Sequence, residues 1–121
     1  GIYREPRNIA IQNRKDINSN FLKLLRYAFK QKLYVGIATH DLYLLEQSYK
    51  LIKKMNVSND NFEFQVLYGV PMSRWLQKHK EHGYKVRIYV PFGQDWYAYA
   101  IRRLKENPNI ATYVLKDIFR E

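Results

Sequence analysis

At 121 residues the chain has the length of one domain, and its formal net charge of +10 and sequence pI near 9.8 favour anionic partners: phosphates, acidic substrates, anionic lipid or nucleic acid. It contains no cysteine, which excludes disulfides, thiolate catalysis and cysteine metal sites. No apolar run approaches the ~18 residues of a membrane span and no signal peptide is visible. A soluble, cytoplasmic protein is therefore the default, with peripheral contact at the inner membrane surface left open.

Residues 1–6, Gly1-Ile2-Tyr3-Arg4-Glu5-Pro6, are too short and polar for an element and read as a loop. On its own, Tyr3 is an ordinary loop tyrosine. Residues 7–16 are polar and unpatterned and read as a connection. Phe21, Leu22, Leu24, Leu25, Ala28 and Phe29 recur at i, i+3, i+4, i+7, so the spacing predicts a helix, capped by Asn18 or Ser19. Arg14, Lys15, Lys23, Arg26, Lys30 and Lys32 form its solvated side.

Residues 33–38 read as a short buried strand, with Thr39-His40-Asp41 at its C-terminal end. Asp41 is the expected cap of a helix carrying Leu42, Leu44, Leu45, Tyr49, Leu51, Ile52 and Met55. Residues 56–61 are turn-rich, and 62–67 alternate like a strand until Tyr68-Gly69-Val70-Pro71 breaks it. A helix follows from Met72 or Ser73 to His82. His79 and His82 stand at i,i+3 there, but Lys78, Lys80 and Glu81 around them point to an exposed turn. No carboxylate or cysteine is arranged for a metal.

The most informative stretch is 85–107. Val86, Ile88 and Val90 alternate as a strand, Pro91-Phe92-Gly93 ends it, and Asp95 can cap a helix. On that helix Tyr99, Arg102, Arg103 and Glu106 fall within about 100° of one another. Tyr97, Ala100, Ile101 and Leu104 form a separate apolar arc. The polar arc is either a solvated surface with an Arg102–Glu106 pair or a carboxylate clamp, since guanidinium groups grip carboxylates in a bidentate fork. Asn107-Pro108-Asn109 stops the helix, and 110–119 is mixed. Strand starts near 33, 62 and 85, with helices between, predict an α/β fold of right-handed parallel βαβ units.

Tyr89-Val90-Pro91-Phe92-Gly93, followed by Tyr99, Arg102-Arg103 and Glu106, resembles the last strand and helix of proline dehydrogenases, which are FAD-dependent (β/α)8 barrel enzymes. Several residue types at fixed offsets make this a specific likeness. It extends along nearly the whole chain and implies that residues 1–121 are the C-terminal half of one TIM-type catalytic barrel, a fragment, since such barrels take ~250 residues. The start at Gly1 fits a truncated or processed chain.

The resemblance also implies the roles. Arg102 and Arg103 would bind the L-proline carboxylate, with Glu106 ordering the pair. Tyr89, Tyr99, Leu67 and Tyr3 would surround the substrate; Leu67 is equally readable as barrel core. Gly1-Ile2-Tyr3 resembles the family's Gly-Ala-Tyr segment beside the flavin, with Ile2 in place of alanine, so Gly1 and Ile2 would contact the cofactor. Thr39 and His40 match an Ala-Thr-His motif that contacts the flavin dinucleotide, near a helix start suited to phosphate oxygens. The reaction implied is oxidation of L-proline to Δ1-pyrroline-5-carboxylate, a hydride passing to FAD and electrons onward to a membrane quinone. The family's catalytic lysine and aspartate come from earlier strands, so no catalytic residue is expected within this stretch. The missing half or a second copy of the chain should cover the open barrel edge.

The rival from another class is a basic nucleic-acid-binding α/β module, suggested by the charge and 19 aromatic residues. The basic residues are spread along the chain in no nucleic-acid motif, so no nucleic acid is expected. An unrelated α/β phosphate-binding protein is a third reading, but neither a P-loop nor a paired-glycine fingerprint exists.

Overall fold

In a computed structural model, the protein is described at residues 5–68, 72–90, 92–94, 97–98 and 101. Helix α1 (Arg14–Lys30) leads to strand β1 (Val35–Ala38), α2 (Leu42–Met55), β2 (Phe62–Leu67), α3 (Ser73–Glu81) and β3 (Val86–Tyr89). The strands form one parallel sheet in the order β1-β2-β3. Val35 pairs with Phe62 and Ile37 with Phe64; Phe64 pairs in turn with Val86, and Leu67 with Tyr89. The expected alternation of helices and parallel strands is present.

Local chemistry fixes the element ends. Asn13, not Asn18 or Ser19, caps α1: its extended backbone lets its side chain accept the N–H groups of Lys15 and Asp16 at 2.8 and 3.4 Å. The helix therefore starts inside the stretch read as a connection. Its first turn is polar because it faces solvent, so it carried no apolar signal. Asp41 caps α2 as expected, accepting the Leu44 N–H at 2.9 Å. Asn56 ends that helix in the left-handed region, at φ 49°.

The core lies between the helices and one face of the sheet. Leu25 and Phe29 of α1, Leu45, Leu51 and Ile52 of α2, and Met72 pack on Ile37, Phe62 and Phe64. Strand period puts Gly36, Ala38, Glu63, Gln65, Leu67, Arg87 and Tyr89 on the opposite face. Gly36, Ala38, Arg87 and Tyr89 are exposed there. The first strand is thus buried on one side only, and Leu33 and Tyr34, expected inside it, precede it and are exposed. Parallel sheets are normally covered on both faces. Among the described residues, helices cover only one.

His79 also departs from expectation. It is fully buried, stacked on Phe64 at 4.0 Å between ring centroids, with Nδ1 hydrogen-bonded to the Tyr49 hydroxyl at 2.7 Å. Met72, Trp75, Leu76 and His79 form an i, i+3, i+4, i+7 stripe, which turns the ring inward while its charged neighbours face outward. His82 is exposed, as expected.

Candidate functional site

The C-terminal ends of β1 and β2 are tied together by a side chain. Phe64 of β2 and Tyr68 just after it donate their N–H groups to the carbonyls of Lys85 and Tyr89, on the β3 side. Alternation along the strand turns the Leu67 N–H the other way, toward β1. β1 has already ended at Ala38, and His40 Nε2 accepts that N–H at 3.2 Å. Although the residue is exposed overall, partial desolvation of the ring lowers the His40 pKa, which favours the neutral form an acceptor nitrogen requires.

Beside it, half-buried Thr39 accepts the Asp41 N–H through Oγ1 at 3.1 Å. Asp41 is ion-paired with Arg14 from the start of α1. Burial works to raise the Asp41 pKa, but the Leu44 N–H and Arg14 outweigh it and hold the carboxyl below its ordinary value.

Leu67 and Tyr89 are register partners on the open face. One pleat toward the strand starts lies a polar group that sequence reasoning missed. Glu63 is 5% exposed and accepts four hydrogen bonds. Arg87 forks onto both carboxylate oxygens at 2.6 and 3.0 Å, Gln65 donates at 2.7 Å, and the Tyr34 hydroxyl at 3.0 Å. Arg87 above all, then Gln65 and Tyr34, pull the Glu63 pKa down to about 2 against the effect of burial. The signal was in the chain: Glu63, Gln65 and Leu67 alternate with Phe62, Phe64 and Val66.

Of the residues singled out in the sequence, the structure gathers Thr39, His40, Leu67 and Tyr89 at one end of the sheet. Gly1, Ile2, Tyr3, Tyr99, Arg102, Arg103 and Glu106 lie outside the described residues, as does Asp95. Tyr97 of the expected apolar arc is helical and exposed; Ile101 is half-buried.

A sequence model of the family described as proline dehydrogenase matches residues 6–115. The chain belongs to the proline dehydrogenase family. Over 121 residues it is 36% identical to proline dehydrogenase 2 of Bacillus subtilis strain 168, matching all of this chain and 40% of that protein. Identity is 36% to proline dehydrogenase of Deinococcus radiodurans, over 99% of this chain and 38% of the relative. It is 34% to proline dehydrogenase 1 of Bacillus subtilis strain 168, over 100% and 40%. The chain thus spans about two-fifths of the length of these relatives. Membership of a family of proline dehydrogenases favours the oxidoreductase reading over the nucleic-acid rival.

Proposed function

We propose that the protein oxidises L-proline to Δ1-pyrroline-5-carboxylate, with FAD as cofactor and a quinone as electron acceptor. In this reading residues 1–121 form the C-terminal half of a single (β/α)8 barrel. Strand ends followed by helix starts are where such barrels build their sites. The observation that carries it is the convergence of Thr39, His40, Leu67 and Tyr89 at those ends of a parallel sheet, in a chain of this family.

The open sheet face supports the barrel. β1 and β3 each have one neighbour among the described residues, and an uncovered parallel sheet exposes ladder groups and inner-face side chains. The N-terminal half of the barrel, or a second copy of the chain, supplies the cover. In this reading the enzyme is cytoplasmic, and a membrane quinone as acceptor would call for peripheral contact with the inner membrane surface.

The donors at the β1 end suit the phosphate-bearing part of FAD. Thr39 Oγ1 and His40 Nε2 both act as acceptors inside the fold, so the Thr39 O–H and the His40 Nδ1–H are the donors they can offer to phosphate oxygens. Gly1 and Ile2 lie beside the cofactor on the family pattern. The chemistry FAD supplies when bound is hydride acceptance. Arg102 and Arg103 hold the proline carboxylate, Glu106 orders the two guanidinium groups, and Leu67, Tyr3, Tyr89 and Tyr99 pack around the ring and exclude water.

The test is Arg102→Lys and Arg103→Lys in the full-length protein. Lysine keeps the charge but loses the fork. A charge-assisted hydrogen bond shielded from water is worth roughly 1.5–3 kcal/mol, so KM for proline should rise roughly tenfold to a hundredfold or more, with flavin retained. Unchanged KM with full flavin occupancy in both variants would leave a surface ion pair and end the clamp.

A further inference from the structure

We propose that Glu63 is a positioning residue for the substrate-facing layer, a role that rests on the assignment of Leu67 and Tyr89 to the proline site. Its carboxylate gathers groups from all three strand positions of the sheet: Tyr34 ahead of β1, Gln65 within β2, and Arg87 on β3. Gln65 lies across β1 so closely that a Cβ on Gly36 would come within 2.5 Å of its Nε2. The group is therefore seated on the glycine of the neighbouring strand.

Register decides what this fixes. Gln65 pairs with Arg87, and Leu67 with Tyr89, one pleat further along the same face. Two residues along a strand advance roughly 6.6 Å, so Arg87 and Gln65 form the floor on which Tyr89 and Leu67 stand. The bidentate fork adds to the β2–β3 backbone ladder a side-chain clamp of fixed geometry, which a single hydrogen bond or a lysine would not supply. From the other side, His40 holds Leu67 by its backbone N–H. In this proposal Leu67 and Tyr89 take their positions from the Gln65–Arg87 pair one pleat before them, while His40 secures Leu67 from the β1 side.

Such a device acts on substrate geometry, where a misplacement of about 1 Å can cost on the order of a hundredfold in rate. Glu63→Gln keeps size and shape but replaces the carboxylate, and Arg87→Lys alters the exposed partner, whose side chain is 67% accessible, with little risk to the fold. In the full-length flavoprotein each should raise KM for L-proline fivefold or more while flavin content stays full. The discriminating measurement is a double-mutant cycle of Arg87→Lys with Tyr89→Phe and with Leu67→Ala. Positioning predicts that KM effects combine to less than their product, because Arg87 acts through Tyr89 and Leu67. Unchanged KM in Arg87→Lys, or KM effects that multiply fully, overturns the positioning role. If Tyr89→Phe and Leu67→Ala both leave KM unchanged while Arg87→Lys raises it, the assignment of those two residues to the proline site is what fails, and the positioning role falls with it.

Discussion

His40 takes the place of a backbone carbonyl for Leu67. Its Nε2 accepts the Leu67 N–H at 3.2 Å where β1 has run out, so a residue just past β1 secures the last residue of β2. His40→Ala should leave that N–H without its partner, at a cost of about 0.5–1 kcal/mol in stability. Amide hydrogen exchange at Leu67 should accelerate more than at Val66. Equal protection at Leu67 in the variant and the parent would show that the ring does not carry the bond.

Acid should weaken the fold through His79. Its ring is buried, which with the nearby charges of His82 and Lys78 pushes its pKa from 6.5 to about 4. A folded-state pKa below the unfolded value means that the unfolded chain takes up the proton first. Stability from this residue is complete above about pH 6.5 and is lost as pH falls toward 4. The loss is on the order of 2–3 kcal/mol. Urea midpoints between pH 7 and 4.5 should fall less steeply in His79→Phe, which keeps a ring beside Phe64 but cannot titrate. Identical slopes would place the acid sensitivity elsewhere.

Gly36 is needed because of one side chain. Gly36→Ala would drive a methyl against Gln65 Nε2 and break its 2.7 Å bond to Glu63. Since the obstructing atom ends a flexible side chain, the expected cost is modest, about 1 kcal/mol. In a Gln65→Ser background most of that cost should vanish. A full cost in both backgrounds would point to a backbone clash instead.

Asp41 serves α2 as a cap and α1 as an ion-pair partner. Asp41→Ala should lower stability by about 1–1.5 kcal/mol, most of it from the cap, because the exposed pair with Arg14 is worth only tenths. Asp41→Asn should retain most of the stability. Because the folded carboxyl titrates below its ordinary value, the Asp41 contribution is present above about pH 4 and lost as pH falls below that. A thermal midpoint for Asp41→Asn as low as that of Asp41→Ala would make the charge, not the cap, decisive.

What the sequence determined by itself was local and periodic. The 62–67 alternation marks β2 with its observed bounds, Asp41 announces α2, and 73–82 falls within a residue of α3. These succeed because a cap or an apolar period is a property of neighbours in the chain. The family was also legible, because its motifs fix residue types at short offsets in the 85–107 stretch. Tertiary structure decided the rest. The polar start of α1 gives no apolar signal, and Asn13 becomes a cap only when the backbone enters the helix there. His79 looks charged and exposed among Lys78, Lys80 and Glu81 until α3 lies on Phe64 and Tyr49. Glu63 and Arg87 stand 24 residues apart, and only the parallel register of β2 and β3 brings carboxylate and guanidinium together. The same register sets Leu67 beside Tyr89, while the end of β1 hands the Leu67 N–H to His40. Spacing along a chain encodes what one element does, but hydrogen bonds between elements depend on strand order and on where each strand stops.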